Sequence, residues 1–213
     1  MNRLAILLVC VAVQSTFGLA AEPGLVAHYA FEEGGGAVAK DLSGQGNDGK
    51  LVGGANWVQG PWGTAIELDG KDGYVDGGTG RSLNIAAAGT MMLWCYPQTL
   101  QGGLLNWSTS GSWGDERLVM AVNTYHGGRQ PLAVMADGEG HAQFSLGSLQ
   151  ANAWNHVAVA FDGQTTWVYN DGVLVGRRAQ ALQPNIAGVP MWVGKCLGLG
   201  ESFFDGMIDA VRV

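Results

Sequence analysis

The segment Asp41-Leu42-Ser43-Gly44-Gln45-Gly46-Asn47-Asp48-Gly49 sets oxygen donors at Asp41, Ser43 and Gln45, with Gly46 at the turn, in the manner of the first half of a helix-flanked calcium loop. The likeness fails at the twelfth position, where a bidentate Glu is required and Val52 stands, and no helical pattern flanks the loop. Asp41 and Asn47 are equally suited to bonding their own turn backbone, as Asx residues do. The same segment spells G-x-G-x-x-G from Gly44 to Gly49, a phosphate cradle that works only between a strand and a helix. Lys50-Leu51-Val52-Gly53-Gly54 follows and is no helix, so the motif is accidental. Gly200-Glu201-Ser202-Phe203-Phe204 lacks the closing glycine of a nucleophile elbow. His28, His126, His141 and His156 show no metal-ligand spacing, and His156 falls in a strand-like run where packing or hydrogen bonding suits it.

Tryptophan is the remaining chemistry-bearing residue, because indole stacks on the C–H faces of sugar rings while their hydroxyls seek Asp, Asn and backbone partners. Of the 8 tryptophans, Trp94, Trp154, Trp167 and Trp192 fall in strand-like runs and are expected in the core or half-buried. Trp62, Trp107 and Trp113 fall in Gly/Ser-rich stretches. Trp107 and Trp113, with Asn106, Asp115, Glu116 and Arg117 close in sequence, are the candidates for stacking on a ligand, against the plainer role of packing under a loop. Asn106-Trp107-Ser108 also forms an N-glycosylation sequon, meaningful in a eukaryotic secretory route.

The elements that would position these residues are β-strands. Apolar runs at 25–31, 64–68, 90–97, 118–124, 132–136, 154–161, 167–170, 173–175 and 207–213 are separated by Gly, Asn, Asp and Ser clusters, and none recurs at helical spacing. Asp171-Gly172 between two β-rich runs predicts a two-residue type I′ hairpin turn. With 213 residues, 35 glycines, 47% hydrophobic and 14% charged residues, the chain reads as one all-β domain of many short buried strands and not as disorder. The net charge of −7 excludes a phosphate-tracking nucleic-acid surface. Residues 1–20 read as a cleavable signal peptide, with Arg3 before an apolar run at 4–13 and small residues up to Ala20, leaving a mature domain at 21–213 with no transmembrane segment. Cys10 lies in that leader with Val9 before it, which disfavours lipid anchoring. Cys95 and Cys196 remain: an oxidising compartment could bridge them, or they are small apolar residues on separate strands, and the sequence leaves both open.

The wording of Trp154-Asn155-His156-Val157-Ala158-Val159 and of Tyr169-Asn170-Asp171-Gly172 resembles the laminin-G-like, concanavalin A-like family. Further blocks resemble the same family in order: 24–34, 41–49, 68–75, 90–97 and 204–213. The family usually has Glu where Ala210 stands, and its last strand often continues where this chain stops at Val213. The resemblance implies a two-sheet antiparallel jelly-roll sandwich with adjacent first and last strands. It also implies a structural calcium held by Glu32 or Glu33, Asp41, Asn47 and Asp209. Some glycoside hydrolases of this broad fold carry Glu-x-Asp-x-x-Glu on one strand; here Glu67 and Asp69 match but Asp72 replaces the second Glu, and a hairpin loop explains the pattern better. The expected function is a secreted, non-catalytic module, extracellular, periplasmic or in the cell envelope, that binds a polysaccharide or other glycan. The alternatives are a glycoside hydrolase and an adhesive domain that binds an extracellular protein.

Overall fold

The computed structural model describes residues 22–108, 116–122, 131–136, 141–179, 183–198 and 200–213. The leader reading, Cys10 and Trp113 lie outside the described residues. The first sheet runs β14 (Val173–Ala179), β13 (Thr165–Asn170), β12 (Asn155–Phe161), β7 (Gly89–Pro97), β18 (Asp205–Arg212), β5 (Thr64–Asp69) and β4 (Asn56–Gln59), with β1 (His28–Tyr29) also on β18. The second runs β11 (His141–Ser145), β10 (Leu132–Ala136), β9 (Glu116–Val122), β8 (Gly102–Ser108), β15 (Met191–Val193), β6 (Tyr74–Gly78), β3 (Gly49–Val52) and β2 (Val38–Ala39). A hairpin of β16 (Lys195–Gly198) and β17 (Gly200–Phe203) completes the set. These paired strands are antiparallel, and the chain ends meet as the sequence predicts, with His28 opposite Arg212 and Tyr29 opposite Val211.

The core lies between the sheets because alternate residues of each strand point there. On β7 these are Met91, Leu93 and Cys95, and on β12 Val157, Val159 and Phe161, all in one buried cluster with Leu118, Met120 and Val122 of β9. The intervening residues Val119 and Ala121 of β9 form a separate buried cluster with Cys196 of β16, so the small hairpin covers the second sheet from outside.

This layering decides the disulfide question against a bridge: both cysteines are buried thiols. Cys95 belongs to the interior cluster and Cys196 to the exterior one, on opposite sides of the second sheet. A disulfide needs Cα atoms within roughly 7 Å, whereas sheets pack about 10 Å apart.

The Asp171-Gly172 turn forms as predicted, with Asn170 paired to Val173 and φ of 48° and 76° at the two turn residues. Asp171 also ties the hairpin to the start of β12, accepting the His156 N–H at 2.8 Å while its own N–H donates to the His156 carbonyl.

Candidate functional site

The site grows from the outward positions of the first sheet. On β7 the inward residues alternate with Met92, Trp94 and Tyr96, all half-buried. Asp209 on β18 and His156 on β12 both stand directly opposite Trp94, so all three side chains share one face. Trp154 joins that face from the turn before β12. Its loop is held by Asn155, a buried amide whose oxygen accepts the Gln150 N–H at 2.7 Å and whose nitrogen donates to the Ala153 and Gln150 carbonyls.

Trp62 completes the group from above. It sits in the tight turn between β4 and β5, where the Gly60 N–H donates to the Gly63 carbonyl at 2.8 Å and the Gln59 amide clamps the same carbonyl at 2.6 Å. Its ring lies 4.7 Å from Trp94 and 5.4 Å from Trp154, while Tyr96 is 5.7 Å from Trp154 and His156 5.0 Å from Trp94. Trp62 is 57% exposed. A solvated sheet face is ordinarily polar, and a contiguous aromatic patch crowned by an exposed indole is the signature of a contact surface.

Carboxylates border the platform. Asp209 is 4% exposed, and its Oδ1 accepts the Ala210 N–H at 2.7 Å. Burial, reinforced by the Glu32 charge and only partly offset by the Ala210 N–H, pushes its pKa up to about 6. Ala210 adopts φ 49° at the irregularity between Asp209 and Arg212, which presents its N–H to Asp209. Glu32 accepts the Thr64 N–H at 3.2 Å and lies against Gly63, where an added Cβ would collide with its carboxylate. His156 has its pKa lowered by burial against the opposing pull of Asp171, so it is neutral at pH 7. Farther along the face, a cavity of about 280 Å³ is lined by Leu25, Thr90, Met92 and Arg212, among others.

The residues predicted from sequence fall differently. Trp107 is a correction: the Gly/Ser-rich stretch around it is strand β8, and its ring is fully buried in the interior cluster, so it cannot stack on a ligand. Asn106 is likewise fully buried, which removes the glycosylation reading. Its pair in that prediction, Trp113, lies outside the described residues.

Of the calcium set, the structure brings Asp41 to Asn47 and Glu32 to Asp209, but it makes no metal-holding group of three acidic, His or Cys residues among the described ones. Asp41 already accepts from the His28 and Ser43 N–H groups on one oxygen and from the Ser43 hydroxyl and Asn47 N–H on the other. Asn47 donates to the Val26 carbonyl and the Ser82 hydroxyl. This donor set does not fit a shared calcium. Asp69 similarly serves its turn, one oxygen accepting the N–H groups of Lys71, Asp72 and Gly73, in line with the hairpin-loop reading of this segment.

Another aromatic group, Tyr74, Trp192 and Phe203 around the second sheet, is already filled by the Lys195 ammonium at 4.8 to 5.2 Å from the three rings. The first-sheet platform is therefore the open one. The sequence conceals it, since Trp94 and Trp154 read as core and Trp62 stands apart from them along the chain; the signal lies in the alternation of Trp94 and Tyr96 with the inward Leu93 and Cys95.

A two-sheet antiparallel sandwich is the architecture of the concanavalin A-like jelly rolls. The chain belongs to the concanavalin A-like lectin/glucanases superfamily, whose laminin-G-type family model matches residues 69–213. No curated protein sequence matches the chain. Among solved structures it is similar to domain 4 of AbnA, a GH43 extracellular arabinanase from Geobacillus stearothermophilus in complex with arabinotriose, at TM-score 0.64 and 17% identity over 88% of this chain and 90% of that one. It is also similar to the CBM40 of the Ruminococcus gnavus IT-sialidase bound to α2,3-sialyllactose, at TM-score 0.55 and 16% identity over 70% and 87% of the two chains. A Trypanosoma rangeli sialidase mutant matches at TM-score 0.61 and 18% identity over 89% of this chain and 30% of that one. At these identities the likeness establishes the fold.

Proposed function

We propose that this protein is an exported, non-catalytic carbohydrate-binding module that holds a glycan by stacking sugar rings on Trp62, Trp94 and Trp154. The observation that carries the reading is the indole cluster itself, with Trp62 57% exposed above ring contacts of 4.7 and 5.4 Å. Rigid aromatic surface supplies apolar area at low entropic cost, and the bordering carboxylates supply hydroxyl acceptors, the combination that small-ligand sites use. Two structural neighbours, one solved with arabinotriose and one with sialyllactose, support a glycan as the ligand class. Export is supported by the leader-like residues 1–20. The stacking itself needs no calcium, since the indoles contact one another directly. A glycan array run with calcium and with chelator, using the wild type and Trp62→Ala, tests the reading; signal that survives in Trp62→Ala would refute it.

A second reading, protein adhesion, is favoured by one observation. Strand β14 is the edge of the first sheet, and Val173, Leu174 and Val175 on it are 63%, 49% and 40% exposed. The strand is Pro-free and its first three residues are apolar, with Arg177 and Arg178 only at its far end, so this stretch is open to strand addition. Concentration-dependent assembly that Val175→Lys abolishes would support it.

A further inference from the structure

The charged groups nearest the platform indoles are carboxylates. Asp209 lies opposite Trp94, Glu32 presses on the turn that carries Trp62, and Glu67 stands on the same face opposite Met207, with the Gln98 amide 3.5 Å from its carboxylate. The described cations of this face are engaged elsewhere: Arg212 pairs with Glu22, and Arg177 lies 5.9 Å over Trp167 toward the β14 edge. His156, the basic group touching Trp94, is neutral at pH 7. Asp209 is the informative member. A carboxylate 4% exposed that accepts only the Ala210 N–H among the side-chain hydrogen bonds described for it is costly to bury, and a hydroxyl donor arriving beside the indole would offset that cost.

We infer that the platform is selective for uncharged glycans: a sugar ring stacks on Trp94 and Trp62 while one of its hydroxyls donates to Asp209, and the field of Asp209, Glu32 and Glu67 excludes uronic, sialic and sulfated sugars. This inference rests on the glycan-binding reading above and specifies its ligand class. The physical reason is asymmetric. A neutral ring brings hydroxyl donors that carboxylates accept strongly, whereas a sugar carboxylate within about 5 Å of two fixed anions in a partly dry site meets repulsion that nothing compensates.

The test measures binding by calorimetry at pH 7.5 to a neutral panel of arabinotriose, xylotetraose, cellotetraose and mannotetraose, and to trigalacturonic acid and 3′-sialyllactose as anionic probes. The expected result is binding to at least one neutral probe and at least tenfold weaker binding to both anionic ones, with Trp62→Ala abolishing the neutral signal. Asp209→Asn, close in shape to the parent, is expected to weaken the neutral ligand about tenfold, and Glu32→Gln with Asp209→Asn to bring the anionic probes within threefold of the neutral one. Anionic binding equal to neutral binding and lost in Trp62→Ala would overturn the inference while leaving the platform in place. Neutral selectivity that the double variant leaves unchanged would also overturn it, because charge would not be its cause. Failure of every probe, or binding that persists in Trp62→Ala, overturns the glycan-binding reading itself. Thermal melts of each variant separate loss of contact from loss of fold.

Discussion

Asp209 and Trp94 stand directly opposite one another on β18 and β7, a nearly buried carboxyl beside an indole on the same outward face. Their pairing explains why the last strand matters to a site whose rings come from other strands. It also makes stability depend on pH in a definite direction. Folding moves the Asp209 pKa from 3.8 to about 6, chiefly through burial and then the Glu32 charge, with the Ala210 N–H opposing. A raised pKa means that the fold prefers the protonated form, so its contribution is complete below pH 4 and is lost as pH rises through 6. Each tenfold change in proton affinity is worth about 1.4 kcal/mol, so Asp209→Asn is expected to be more stable than the wild type by about 2 to 3 kcal/mol at pH 7.5. The difference should fade toward pH 4. Denaturant melts at both pH values check it, and a pH-independent difference would remove the burial argument.

Trp62 and Trp107 should respond oppositely to truncation. Trp62 is 57% exposed and packs on the Trp94 and Trp154 rings, so Trp62→Ala is expected to cost about 1 kcal/mol of stability and most of the glycan affinity. Trp107 is fully buried in the interior cluster, and Trp107→Ala is expected to cost about 3 to 5 kcal/mol. Paired denaturant melts and binding isotherms on the two variants check both halves.

What the sequence reveals and what it hides have separate physical causes. The Asp171-Gly172 turn and the meeting of the chain ends are legible because turn chemistry and a resemblance across many blocks both act locally. The platform is not, because residues 90–97 are apolar at nearly every position. A strand with one face in the core and an aromatic face outward looks the same as one buried on both faces. Trp107 misleads for the converse reason: Gly102, Gly103 and Ser108 look like loop, yet they belong to a central strand pressed on both sides. Asp41 and Asn47 carry the right atoms for calcium, and only three-dimensional placement shows those atoms committed to backbone donors.

Gly172 offers a clean measure of the hairpin's contribution. Its φ is 76°, and a Cβ built on it would meet nothing within 4 Å, so Gly172→Ala introduces backbone strain without a clash. The expected cost is about 1 kcal/mol, set by the left-handed conformation alone. Gly172→Asn, with a residue that tolerates this region, should recover part of it. A cost above about 3 kcal/mol in equilibrium unfolding would mean that the turn does more than reverse the chain.

The Asp41 loop predicts indifference to metal. Burial alone would raise the Asp41 carboxyl, but hydrogen bonds from the Ser43 hydroxyl and N–H and from the Asn47 and His28 N–H groups outweigh it and hold the pKa below its usual value. With both oxygens bonded, excess chelator is expected to leave the melting temperature unchanged. Asp41→Ala should destabilise by about 2 to 4 kcal/mol, because several buried donors lose their acceptor together. A depressed carboxyl stabilises above its unfolded pKa and ceases to as pH falls through the folded value, so this contribution should persist at pH 7, begin to decline only below about pH 4 and be lost as pH falls through the lower folded pKa. A chelator-induced fall in melting temperature that added calcium reverses would instead show that the loop exchanges its internal donors for a cation.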